Sequence, residues 1–219
     1  MPSRRLPAGN PSSGTIEAMT VPGRVDAASL LLSLDPPPWQ VRHARAVAEI
    51  AGWLAARVEA NGTTLDRSLV ESAALLHDID KTLPAGDPAR DLPHGEGSAA
   101  WLVRAGCPEL ARAVAAHPVT RLLDGDGYKR WAAFASREER IVAYADKRAG
   151  QRLESMDARF ASWDRRHPDG WTAAERRTVR ARADRLESDV CRAAGVEPAD
   201  VRRLAWTGPA LRAARSALR

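Results

Sequence analysis

The feature that most constrains the fold of this 219-residue chain is the spacing of its apolar residues, which recur every three or four positions. This spacing places them on one face of an α-helix. Two stretches have it most clearly, one with Val47, Ile50, Leu54 and Val58, the other with Val179, Ala183, Leu186 and Val190. The strict alternation expected of a half-buried β-strand is not sustained anywhere, and no internal repeat is visible. The sequence therefore predicts an all-α fold, a single-domain helical bundle.

Proline and glycine divide the first half of this bundle into helices. One helix is expected from about Trp39 to Glu59, after three consecutive prolines and before an Asn-Gly pair. Asp66 or Thr64 can cap the next helix. We expect that helix to stop at Leu83-Pro84, because proline disfavours helical backbone in the residue before it.

The second half is expected to contain three further helices. Pro108 starts one that ends near His117, and a turn at residues 124–127 follows. The next should run from Arg137 to about Arg152. A longer helix ends at Gly195, and an arginine-rich segment completes the chain.

The expected organisation is a flexible leader at residues 1–22 and one helical domain at residues 23–219. Within the domain, residues 41–150 hold the core motif described below, and residues 151–219 form a helical extension to which the sequence assigns no role.

Composition excludes several classes of protein. The chain is 44% hydrophobic and 28% charged, which is typical of a soluble globular protein and not of a disordered one. No apolar stretch approaches the roughly 20 residues needed to cross a bilayer, and the leader lacks the apolar core of a secretory signal. Cys107 and Cys191 are too few for a disulfide framework, so a cytoplasmic location is expected and no membrane partner.

The formal charge of +5 comes almost entirely from arginine. It could steer anionic substrates or bind nucleic acid. The positive residues alternate with acidic ones along the expected helices, which favours a solvated surface. Nucleic acid is therefore a possible but not a favoured partner, and the oligomeric state is left open.

Four of the five histidines and two aspartates form an ordered set along the chain: His43, His77, Asp78, His94, His117 and Asp146. Imidazole and carboxylate together suit Mn, Fe, Zn or Co better than the all-oxygen shells that Mg and Ca prefer. Six such groups are too many for one four-coordinate zinc, but enough for two ions that share a ligand. Asp78 is the natural ligand to share, since its carboxylate has two oxygens.

The other aromatic side chains have simpler interpretations. His167, the fifth histidine, lies in a polar connector and is expected at the surface. The seven tryptophans are scattered and mostly lie in apolar helical segments, which favours core packing over base stacking.

The order H…HD…H…H…D, with His77-Asp78 followed by Ile79-Asp80-Lys81, resembles the HD-domain metal-dependent phosphohydrolases. In form it is most similar to the small, HDIG-like bacterial members that hydrolyse nucleotides. The resemblance covers about Val41 to Gly150. For one ion it implies four ligands: His43, His77, Asp78 and Asp146. For a second ion it implies His94 and His117, with Asp78 as the bridge. The implied cofactors are two divalent transition-metal ions, Mn or Fe first, with Zn, Co, Ni or Mg as alternatives.

Such a centre implies hydrolysis of a phosphate ester or phosphoanhydride by a water that the two ions activate. Nearby cations would hold the phosphoryl oxygens that the ions leave free. We therefore predict Asp78, Lys81 and Lys147 as the catalytic residues, and Asp80 could orient the water. The alternative for the lysines is a surface salt bridge, for Lys81 with Asp80.

Three functions remain open from the sequence. The first is a phosphohydrolase of a nucleotide-type or other phosphorylated small molecule. The second is an RNA-processing phosphatase or 2',3'-cyclic phosphodiesterase, in which the basic C-terminal helices follow the RNA backbone. The third is a regulatory HD module that binds a nucleotide without cleaving it.

Overall fold

The computed structural model describes residues 21–219, so the predicted leader lies outside the described residues apart from its last two. Over the described range the chain forms ten α-helices and no β-strand, which confirms the all-α fold. The helices are α1 (Arg24–Ser33), α2 (Pro38–Ala60), α3 (Arg67–Leu76), α4 (Glu96–Arg104), α5 (Ala111–Ala115), α6 (Gly125–Phe134), α7 (Arg137–Lys147), α8 (Met156–Arg166), α9 (Ala173–Ala194) and α10 (Thr207–Ala217).

Helix α2 lies at the centre of the bundle and packs against α3, α7 and α9. It begins at Pro38, whose fixed φ suits a first helical position. Its predicted apolar stripe is fully buried, and each of Ile50 and Leu54 contributes about 1.5–3 kcal/mol by leaving water. His43 belongs to the same buried face. The packing of the stripe therefore also holds this imidazole in the interior.

Helix α3 ends earlier than predicted. Asp66 caps its start as expected, accepting a hydrogen bond from the Leu69 N–H. The helix stops at Leu76 and not at Leu83, because the backbone leaves helical geometry at Asp78 (φ −103°, ψ 21°) and continues as a 3-10 turn. This break, and not the proline, lets His77 and Asp78 leave the helix together.

The segment around residues 124–152 also differs from the prediction. Asp124 is not part of a turn but caps α6, accepting from the Gly127 N–H. None of the α6 residues is fully buried, and only Tyr128 and Trp131 pack partly against the core, so the apolar signal of this helix is short. Helix α7 ends at Lys147, five residues before the predicted end. The chain then bends back, and Ala149 pairs with Leu153 in an isolated bridge.

The C-terminal third wraps the central helices. Helix α9 follows the predicted stripe, and it ends at Gly195 in the left-handed conformation (φ 63°). Helix α8 was not predicted. Helix α10 packs on α1, and Arg203 and Thr207 bind the buried carboxylate of Glu49 on α2. The last helix is thus tied to the helix that carries His43.

Most tryptophans are core or core-packed, as predicted: Trp206 is buried, and Trp53, Trp101, Trp131, Trp163 and Trp171 are partly buried against the core. Trp39 is the exception, with 45% of its surface exposed. His167 is exposed, as expected. Among the described helices, none has the length and apolar character required to cross a bilayer.

Candidate metal centre

The six predicted ligand side chains meet in one place, although they come from five separate parts of the chain. His43 lies on α2, His77 and Asp78 follow the end of α3, and Asp146 lies on α7. His94 lies just before α4, and His117 is the second residue after α5. Five of the six are buried, and His94 is the partly exposed member.

One oxygen of the Asp78 carboxylate faces a first pair of histidines. Asp78 Oδ2 lies 3.4 Å from His43 Nε2 and 3.5 Å from His77 Nε2. Asp146 Oδ1 lies on the same side, 3.3 Å and 3.8 Å from these two nitrogens. His43, His77 and Asp146 place their potential ligand atoms within 4.8 Å of one another.

The other oxygen of Asp78 faces a second pair. Asp78 Oδ1 lies 3.3 Å from His94 Nε2 and 3.4 Å from His117 Nε2, and these two nitrogens are 3.2 Å apart. A carboxylate with each oxygen turned to a different pair of imidazoles has the arrangement of a bridging ligand.

The hydrogen bonds of the four imidazoles show which nitrogen carries the proton. In His43, His77 and His117, Nδ1 lies 2.6–2.8 Å from a backbone carbonyl oxygen. A carbonyl oxygen only accepts, so Nδ1 must donate. In His94, Nδ1 lies 2.8 Å from the Asp80 carboxylate, another acceptor. In the neutral ring, each Nε2 therefore keeps only a lone pair.

The centre is consequently a cluster of acceptors. Four lone pairs and the oxygens of Asp78 and Asp146 face one another, and Asp78 Oδ1 has no hydrogen-bond partner in the described part of the chain. Burying such groups without a partner is unfavourable. Divalent cations would supply the missing partner, and donation from Nδ1 to an oxygen is how metal-bound histidines are oriented. The donor set fits divalent metal ions.

At three of the six ligands, electrostatics favour the protonation states that metal ligands need. His43 differs, because burial by itself would lower its pKa but Asp146 and Asp78 together raise it. Burial by itself would raise the pKa of Asp78, but His77, His117 and Lys81 together hold it well below its usual value. The same holds for the pKa of Asp146, where burial is outweighed by the effects of His43 and of the charge of Lys147. Burial lowers the pKa of His77 to about 3, despite the opposing charge of Asp78. At neutral pH the carboxylates are ionised and His77 is neutral.

The two predicted lysines lie in very different surroundings. Lys81 Nζ is 2.7 Å from Asp78 Oδ2, and its side chain is partly exposed at the mouth of the site. Lys147 is fully buried, and its ammonium donates to the carbonyl oxygens of His117 (2.7 Å) and Ala143 (3.0 Å). This geometry does not favour the predicted contact between Lys147 and a phosphate. Lys147 instead has a structural role, because its hydrogen bond holds the backbone of His117 against α7.

Asp80 orients a histidine in this structure. Its Oδ2 accepts from His94 Nδ1 and from the Gly95 N–H, both at 2.8 Å, and its own N–H donates to Ser98 Oγ. Asp80 therefore acts behind the ligand shell through Oδ2, and the expected role of orienting water stays a prediction. Asp80 fixes the ring of His94, the most exposed of the four imidazoles.

Two glycines in the His94 segment are required by close packing. Gly95 has φ +84°, and a Cβ there would lie 2.7 Å from Pro118 Cγ. At Gly97 a Cβ would clash with the backbone carbonyl oxygen of Ala89. These contacts set the path by which His94 approaches His117.

A cavity of about 310 Å³ opens directly onto the centre, with His43, Asp78 and Lys81 in its wall. Three further residues of its wall were not predicted from the sequence: Trp39 at the start of α2, and Arg159 and Arg166 on α8. The spacing of the two arginines, seven residues apart, is the one local signal that could have placed them on a common helix face.

Comparison with known proteins agrees with this geometry. The family model of the HD domain matches residues 41–151, about half of the chain, and the protein belongs to the HD-domain family. Members of this family bind divalent metal ions and are generally metal-dependent hydrolases. No curated protein and no solved structure shows a significant match to the chain.

Proposed function

We propose that this protein is a phosphohydrolase with two divalent transition-metal ions, Mn or Fe first and Zn, Co, Ni or Mg as alternatives. The observation that carries the proposal is the divided Asp78 carboxylate, each oxygen facing its own pair of histidine nitrogens. His43, His77 and Asp146 would hold one ion, and His94 and His117 the other.

Bound ions would supply a hydroxide nucleophile at neutral pH and polarise the phosphoryl oxygens. The chain's own residues do the rest. Asp80 keeps the His94 ring in place through Nδ1, and Gln40 donates to the Asp78 carbonyl oxygen at 2.8 Å, which fixes the backbone of the bridging residue. Lys81 stands at the solvent side of Asp78, where its ammonium can bind an oxygen of the arriving phosphate.

The substrate we propose is a nucleotide-type phosphate ester or phosphoanhydride. The cavity is of a size for one small organic phosphate, and Trp39 presents an exposed indole beside the cationic side chains of its wall. An indole at the mouth can stack on a flat ring such as a nucleobase.

The basic C-terminal helices would have to contact the alternative RNA substrate. Some of their arginines are paired with carboxylates, Arg176 with Asp164 and Arg180 with Asp157 and Asp184, while others such as Arg165 and Arg177 are exposed. We favour a small-molecule substrate because the cavity over the metal centre, about 310 Å³, has a volume suited to one small molecule.

The test combines metal analysis with a panel of aryl phosphate, nucleotide, dinucleotide and 2',3'-cyclic substrates. Wild-type protein should carry about two ions per chain and hydrolyse at least the aryl phosphate. Asp78→Asn keeps the shape of the side chain but removes its charge, and it should reduce occupancy at both positions and abolish turnover.

The matched control is Asp126→Asn, which removes an exposed carboxylate on α6. It should leave both metal content and turnover unchanged. Full metal content and turnover in Asp78→Asn would refute the assignment of the bridge, and hydrolysis of the cyclic substrate alone would favour the alternative function.

A further inference from the structure

Helix α8 begins at Met156, beyond the part of the chain that the HD-domain family model covers, yet it forms one wall of the cavity over the metal centre. Ser155 caps its start by accepting from the Ala158 N–H. Arg159 and Arg166, seven residues apart, both line the cavity. A separation of seven residues corresponds to roughly 10 Å along a helix, so the two arginines lie at different depths.

Arg159 is a buried cation without the hydrogen bonds that such a group requires. The residue is only 8% exposed. Its Nη2 lies 4.0 Å from Asp146 Oδ1, beyond hydrogen-bond distance, and Nε has no partner within the described range. Its guanidinium stacks over the Trp163 ring at 4.5 Å. The buried Nε therefore carries an N–H donor with no oxygen acceptor in the described residues to receive it.

Arg166 adds a second cation nearer to solvent. Its Nε donates to the Ser162 carbonyl oxygen, so the other N–H donors of the guanidinium are left free at the cavity wall. The pKa of Arg166 is lowered from its usual value, first by burial and then by the positive charge of Arg159. The two guanidinium groups thus repel each other, and Glu154 is the nearby carboxylate of the cavity wall that opposes them.

We propose that α8 is the substrate-phosphate wall of this site, with Arg159 binding the phosphate at the metal centre and Arg166 binding a second anionic group of the same substrate. The substrate class is then a phosphoanhydride with at least two phosphates, and not a simple monoester. This inference rests on the proposed function and makes its substrate more specific. A planar fork of donors matches phosphate oxygens, which explains why arginine stands here and not lysine.

The test measures binding to the metal-loaded full-length protein, with two probes that are not hydrolysed. Inorganic orthophosphate reports on the inner position, and methylenebisphosphonate, which has two phosphonate groups joined by carbon, reports on both. Arg159→Gln should weaken binding of both probes by about 10- to 100-fold, the effect of losing a buried charged hydrogen bond. Arg159→Lys should recover part of the loss.

Arg166→Gln should weaken only methylenebisphosphonate, by about 2- to 5-fold because the group is exposed. The matched control is Arg165→Gln, which removes the same charge from an exposed neighbouring position on α8 outside the cavity wall. It should change neither affinity.

A structural role for Arg159 makes a different prediction. If Arg159 served the fold, Arg159→Gln would lower the melting temperature of the anion-free protein and its metal content. We expect metal content to be unchanged and the melting temperature to be no lower than that of wild type, since the substitution removes a buried guanidinium whose Nε has no hydrogen-bond partner in the described residues.

Equal orthophosphate affinity in Arg159→Gln and Arg165→Gln would overturn the proposed wall, even if the enzyme hydrolysed aryl phosphate normally. An unchanged methylenebisphosphonate affinity in Arg166→Gln would overturn the phosphoanhydride assignment. If the protein bound orthophosphate through Arg159 but hydrolysed nothing, the proposed function would fail while the anion site stood.

Discussion

Lys147 offers a quantitative test of whether the buried placement or the substrate contact is correct. Burial lowers the pKa of its ammonium from 10.5 to about 8, although the neighbouring Asp146 opposes the shift. In the unfolded chain the amine would titrate near its usual value. A lysine whose pKa is lowered by folding costs stability while it is protonated, and the cost falls as pH rises through the folded pKa towards the unfolded one.

The magnitude follows from the two pKa values. A difference of about 2.5 units corresponds to about 3 kcal/mol, present in full well below pH 8 and absent above about pH 10.5. Between about pH 7 and about pH 9.5, wild-type protein should therefore gain about 2 kcal/mol in free energy of unfolding relative to Lys147→Met. The comparison with the variant removes the contribution of other titrating groups.

The assay is urea unfolding of both proteins at the two pH values, with free energies obtained by linear extrapolation. Lys129→Met is the matched control, because Lys129 is largely exposed beside Asp126 and its variant should follow the wild-type pH dependence. Loss of the two carbonyl contacts shifts the free energy of unfolding of Lys147→Met by an amount independent of pH. The test therefore compares how this free energy changes with pH, not its absolute value. Parallel curves for wild type and Lys147→Met would refute the buried ammonium and restore the predicted contact with phosphate.

Three further variants test the centre from different sides. Asp80→Asn should lower the affinity for the ion beside His94 by about 10- to 100-fold and leave the affinity for the other ion unchanged. The reason is that only the His94 imidazole loses its charged orienting partner. Competition with a chelator measures both affinities. Asp146→Asn should instead deplete the ion at the opposite side of Asp78, and loss of both ions by elemental analysis would contradict the separation of the two groups. Gly97→Ala should cost about 1–3 kcal/mol in thermal or urea unfolding, because its Cβ would meet a backbone oxygen that cannot move freely, and unchanged stability would show that α4 can shift.

The fold was largely predictable because its strongest signals are local. Apolar spacing located α2 and α9, and side-chain capping limited the start of α3 to Asp66 or Thr64, of which Asp66 is the cap. Where the local signal was absent, the prediction failed. Helix α6 fully buries no residue, and only Tyr128 and Trp131 pack partly against the core. Helix α3 stopped where the backbone changed at Asp78 and not at the next proline.

The candidate site, like the fold, could be predicted only in part. Residue chemistry and order along the chain were sufficient to select all six groups that meet at the centre. The roles of the residues that support these ligands from outside could not be predicted in this way. Asp80 lies two residues after the predicted ligand Asp78, and Lys147 directly follows Asp146. Their partners, His94 and the His117 carbonyl, are farther along the chain and are chosen by packing.

The sequence by itself determined that this chain is helical and which imidazoles and carboxylates it would gather, because both follow from residue type and short-range spacing. Only the tertiary structure decided how the Asp78 oxygens divide between the histidine pairs, that Lys147 is enclosed, and that α8 closes over the cavity. These outcomes depend on contacts such as that between His43 Nδ1 and the Gly150 carbonyl, which joins residues 107 positions apart. No local pattern records such a contact, because it exists only once the helices between have packed.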